Sequence, residues 1–146
     1  MEWWGTRQSV SPLLERDVRF MRETFGKTFK LQVPTVGTQL YWLGVVQINM
    51  TSVRQREHTM KILYPTDYPN RPPEAYVLHP KVWSKKHQYE DGQLCLFNPK
   101  DGQAYGWNPA KSTVVTVAGW GIEWMYAFYT FQAMGVWPGE EERVAR

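Results

Sequence analysis

Between Pro65 and Pro80 the chain carries five of its ten prolines, four of them inside Tyr64-Pro65-Thr66-Asp67-Tyr68-Pro69-Asn70-Arg71-Pro72-Pro73. Proline fixes φ and lacks an N–H, so these positions can extend neither a helix nor a strand ladder. The stretch predicts a stiff surface loop that ends one sheet segment and separates two kinds of pattern.

Upstream, Ser11 reads as a helix cap with Pro12 at the first helical position. From Leu13 to Phe25 the apolar residues Leu13, Leu14, Val18, Met21 and Phe25 share one side, arginines and glutamates take the other, and Gly26 stops the run. The outer face is basic, with Arg16, Arg19 and Arg22. Phe29–Val33, Tyr41–Ile48 and Val53–Tyr64 read as strands, the last with His58, Met60, Ile62 and Tyr64 on one face. Short connections holding Pro34, Gly37 and Asn49 favour antiparallel pairing. A fourth strand, Ala75–Leu78, follows the prolines.

Downstream, the pattern from Lys111 to Gly135 is helical, with Val117, Trp120, Trp124, Phe128 and Phe131 at spacings of three and four. Asn108 with Pro109, or Ser112 with Thr113, would start it. Glu123 is the only charge between Ser112 and Gly139, so this helix must be covered. A membrane span is set aside because Gly119, Gly121, Glu123 and Gln132 interrupt the run and no basic flank follows closely. The surplus of aromatic surface, including Tyr126, Tyr129 and Trp137, covers for missing elements or packs against a partner or a second copy. The tail Glu140-Glu141-Glu142-Arg143 reads as solvated.

One domain, residues 1–146, suits the length. A net charge of +3, with basic residues mostly scattered, gives no argument for nucleic acid. The single cysteine, Cys95, excludes an internal disulfide; with no signal peptide in view, a reducing cytoplasm is expected. Cys95 lies in Glu90-Asp91-Gly92-Gln93-Leu94-Cys95-Leu96-Phe97. A thiol there either fills a small apolar hole or presents a thiolate to a partner.

The order of parts is specific: helix, antiparallel meander, the proline stretch, a loop with one cysteine, Trp107-Asn108-Pro109-Ala110, and a long apolar helix. From Leu13 to Phe131 it resembles the ubiquitin-conjugating enzymes, in which a YPxxYPxxPP stretch, an xGxICL segment with the catalytic cysteine and a WxPA segment follow in this order. Three departures stand out. His79-Pro80-Lys81 lies too far upstream for the family's His-Pro-Asn triplet, and His87 stands where its asparagine is expected. The loop from Cys95 to Trp107 is long, with Asn98-Pro99-Lys100-Asp101-Gly102. The sequence ends after the central helix, without the family's last two helices. These departures are similar to the bacterial branch, which carries H-x-Y-x-x-G-x-LCLF around the cysteine (here His87 to Phe97) and a W-x-G segment after the last helix (here Trp137-Pro138-Gly139).

The resemblance implies an α+β ubiquitin-conjugating (UBC-like) fold and a stand-alone conjugating enzyme of CBASS-type antiphage operons. Cys95 would form a thioester with the C-terminus of a protein, a cGAS-like nucleotidyltransferase, and pass the acyl group to an amine. His87 would donate to the oxyanion, act as a base toward the amine or lower the thiol pKa, unless it is a locally packed loop histidine. Tyr89 would wall the groove or serve structurally, and Asn98 is a second oxyanion-donor candidate. Arg16, Arg19 and Arg22 would contact an activating enzyme or form a solvated face. No cofactor and no metal are expected: His79, His87 and Cys95 do not have zinc-ligand spacing and lack a fourth ligand. A Cys-His protease lacks its third, orienting residue. The competing reading is a non-catalytic binding module of the same fold, acting as an adaptor or structural subunit. Cys95 in its full sequence context argues against it.

Overall fold

The computed structural model describes residues 2–34, 39–50, 53–97 and 106–138. Helix α1 spans Pro12–Phe25. The Ser11 side chain accepts from the Leu14 amide at 3.2 Å, and Gly26 ends the helix at φ 61° with its N–H donating to the Arg22 carbonyl. Leu14, Asp17 and Met21 are its buried residues, an i, i+3, i+7 stripe that turns a carboxylate inward.

Four strands, β1 (Phe29–Gln32), β2 (Tyr41–Met50), β3 (Val53–Leu63) and β4 (Glu74–His79), form one antiparallel sheet in the order β1-β2-β3-β4. Alternation sets its faces. Trp42, Val46 and Ile48 of β2 and His58, Met60 and Ile62 of β3 are buried, while Val45 and Gln47 are exposed. Phe29 pairs with Gly44, and a Cβ there would stand 2.4 Å from the Phe29 ring. The missing side chain is what lets the ring lie across the neighbouring strand.

Helix α2, Val114–Met134, starts at a capping box: Thr113 accepts from the helix while Thr116 accepts from the Thr113 amide. Thr113 is thus the start among the two expected, and Asn108 belongs to the turn before it, accepting from the Lys111 and Ser112 amides. Gly135 closes the helix in the left-handed region, φ 76° and ψ 3°. At Gly121 the helix comes down on the sheet, where a Cβ would stand 3.0 Å from Met60 Cε. The low polarity of α2 follows from what covers it. One side meets the sheet and α1, and the chain after Gly135 folds back to lay Trp137, 8% exposed, against Trp124 and Phe131. Tyr129 meets the buried His58, and the Asn49 amide donates to the Tyr126 hydroxyl. These three aromatic side chains are therefore used within the chain. Among the described residues no helix is long and apolar enough to cross a membrane.

The proline stretch lies partly inside the fold rather than wholly on its surface. Pro65, Tyr68 and Pro73 are buried, because Tyr68 turns in to reach Asp17. Asp17 is fully buried and accepts from the Tyr64 and Tyr68 hydroxyls at 2.8 and 2.7 Å and from the Arg16 guanidinium at 2.8 Å. Tyr64 in turn accepts from the Trp42 indole N–H at 3.0 Å. Five residues from α1, β2 and the proline loop thus satisfy one another. Trp3 seals the cluster from the N-terminal side, its ring 4.7 Å from both Tyr64 and Tyr68.

Candidate active site

Cys95 sits on a short hairpin at the edge of the sheet. Glu90-Asp91-Gly92 turns the chain: the Gly92 N–H donates to the Tyr89 carbonyl, and Gly92 takes φ 95°, where a side chain is strained. The Asp91 side chain accepts from the Gln93 amide at 2.9 Å and stiffens the turn. Tyr89 N–H then donates to the Gln93 carbonyl and Cys95 N–H to the His87 carbonyl, both at 2.9 Å, with Gln88 opposite Leu94. Such pairing turns alternate residues to opposite faces. Leu94 is 1% exposed and points into the core, so its neighbour Cys95 points out and is half-buried. Leu94 thus anchors the hairpin in the core, and Leu96, partly buried, packs against the same core.

Three attachments hold the hairpin. The Leu94 amide donates to the Ala75 carbonyl, joining it to β4. The inward Gln88 amide side chain accepts from the Ser84 N–H and donates to the Val82 and Gly92 carbonyls. The Trp124 indole N–H donates to the His87 carbonyl at 2.8 Å, tying the hairpin to α2. His87 itself has φ 60°, a conformation uncommon outside glycine, and its ring lies 4.7 Å from that of Trp137. Beyond Cys95, Phe97 packs between Trp107 and Trp120, and the Trp107 indole donates to the Pro69 carbonyl. The cysteine, proline and Trp107 motifs, distant in sequence, are thus joined.

The side chain that meets the sulfur is Tyr89: the Cys95 thiol donates to its hydroxyl at 3.6 Å. That hydrogen bond, then partial burial, holds the phenol above the usual tyrosine range. His87 stands opposite Cys95 in the ladder, where its carbonyl fixes the Cys95 backbone. Asn98 lies outside the described residues. Of the three arginines, Arg19 and Arg22 are exposed, whereas Arg16 is drawn in to Asp17 and also donates to the Tyr68 hydroxyl. Burial opposes the Arg16 charge, but the Asp17 carboxylate outweighs it and raises the guanidinium pKa. Among the described residues no three His, Cys, Asp or Glu side chains gather as a metal site. Sequence reasoning passed over Gln88 and Trp124, whose roles depend on partners distant in the chain or on main-chain atoms.

Comparison with known proteins agrees with this geometry. The chain is similar in structure to human ubiquitin-conjugating enzyme E2 G1, with a TM-score of 0.54 and 20% sequence identity over 82% of this chain and 96% of the human one. At that identity the likeness is one of fold: two helices against a four-stranded antiparallel meander. No curated protein sequence matches. The family model described as Type II CBASS E2 protein matches residues 17–144. That range runs from the buried aspartate of α1 through the whole sheet and the cysteine hairpin to beyond the end of α2, and the chain belongs to the Type II CBASS E2 family, ubiquitin-conjugating-like proteins of antiviral defence.

Proposed function

We propose that the chain is an acyltransferase that takes the C-terminal carboxyl of another protein onto Cys95 as a thioester and delivers it to an amine. The reading is supported above all by one observation: the sole thiol of a CBASS E2 family member projects outward from a hairpin pinned to both sheet and helix. In the first step the Cys95 thiolate attacks an activated acyl carbon, an S–C bond forms, and the activating group departs. In the second, an amine nitrogen attacks the thioester carbon, an N–C bond forms, the S–C bond breaks, and the amine proton passes to a base. The activation consumes ATP elsewhere, so this chain needs no bound cofactor. The acyl donor is a cGAS-like nucleotidyltransferase presenting its C-terminal tail, and the setting is the cytoplasm.

Within this reading His87 remains the candidate for the oxyanion or base role, and Asn98 a second donor. Arg19 and Arg22 are left as the basic surface for an activating partner, since Arg16 is engaged with Asp17. The test is a non-reducing gel of the protein incubated with its operon partners. A thiol-sensitive adduct that Cys95→Ala abolishes is expected. Full pathway function in the Cys95→Ala protein would instead make it a binding module.

A further inference from the structure

We propose that Tyr89 is a catalytic residue whose hydroxyl donates a hydrogen bond to the Cys95 sulfur whenever that atom carries negative charge. This deepens, and rests on, the acyl-transfer reading above. Charge develops on the sulfur twice, as it attacks the acyl carbon and as it leaves the tetrahedral intermediate on aminolysis, when the S–C bond electrons return to it. In the resting thiol the S–H donates to Tyr89 Oη at 3.6 Å. Once the proton is gone the same contact reverses, and the phenol O–H becomes the donor.

Four observations carry this. The Tyr89 backbone is fixed on both sides of the turn, by its N–H to Gln93 and its carbonyl from Gly92, so its position does not depend on packing. The pairing of Gln88 with Leu94 turns Tyr89 to the same side of the hairpin as Cys95. Tyr89 is 45% exposed, so the core has little use for its ring, and its hydroxyl meets the sulfur. The hydroxyl stays protonated across the neutral range, as a donor to a thiolate must.

The test is the rate of Cys95 alkylation by iodoacetamide across pH in the purified protein. It needs no acyl donor, so it can fail while the thioester reading survives, and the reverse. Tyr89→Phe keeps the ring and removes the donor. It is expected to alkylate about two- to fivefold more slowly near neutrality, with the gap closing at alkaline pH where the thiolate is fully formed in both proteins. Transfer from a preformed thioester to free lysine should slow by a similar factor. Tyr89→Leu separates donor from ring: matching the Phe variant supports the assignment. An alkylation profile for Tyr89→Phe that overlays the unmodified protein overturns it.

Discussion

Two polar clusters, one around Asp17 and one around Cys95, are built to different rules. Around Asp17, a carboxylate, two phenols and an indole are buried, a partly exposed guanidinium covers the carboxylate, and every buried side-chain polar atom described has a partner. Around Cys95 the main chain is fully pinned while the side chains on the outer face, Tyr89 and the thiol, stay open to solvent. The first arrangement suits holding α1 and the proline loop to the sheet, where unpaired charge is most costly. The second suits chemistry, because a reacting group must be both fixed and reachable.

The sharpest way to break this contrast is Asp17→Ala. It strands the Arg16 charge and leaves two buried hydroxyls without their acceptor, and a loss of about 3 kcal/mol in urea unfolding is expected. Cys95→Ala should by comparison stay within about 0.5 kcal/mol of the unmodified protein.

Next comes Tyr68→Phe, expected to cost about 1.5 kcal/mol at neutral pH because one of the bonds to the carboxylate is lost. It also changes the alkaline limb. Burial, then the Asp17 charge, raise the Tyr64 and Tyr68 phenols above their unfolded value near 10. The folded protein therefore keeps these protons after the unfolded chain has released them. Stability is complete below about pH 10 and falls as pH rises beyond it. The fall should be shallower in Tyr68→Phe, measured by urea midpoints between neutrality and high pH.

A smaller loss than at Tyr68 belongs to Gln88→Ala. Removing the side chain that serves Ser84, Val82 and Gly92 should cost about 1 kcal/mol. The local sign should be clearer than the global one: faster amide hydrogen exchange at Tyr89 and Cys95, with α1 amides unchanged.

Much of the fold was legible because its signals are local. Ser11, Pro12 and Gly26 bracket α1 as read, and the four strands match their predicted spans to within about two residues at each end. Asp17 was the instructive miss. Only the arginines and glutamates of this helix entered the sequence reading, which passed over a carboxylate three residues after Leu14 and four before Met21, on the buried stripe itself. A carboxylate at such a position signals an internal partner, and the tyrosines of the proline stretch supply it. His58 was read as sharing one face of β3 with Met60 and Ile62, and that face is buried, but its partners, Tyr129 and the Pro80 carbonyl, lie on elements brought together only in three dimensions. The same holds for the site. Cys95 and the turn at Gly92 are visible in the chain, whereas the crossing indole of Trp124 and the anchoring amide of Gln88 are not.

The attachment of Leu94 to Ala75 has a mechanical meaning. One residue separates the sulfur from a hydrogen bond to the sheet. A bulky passenger tethered there would tug almost directly on β4, with no slack segment between. Such a mount transmits force where a floppy arm would absorb it, and under the proposed acyl transfer it would keep the thioester at a constant address.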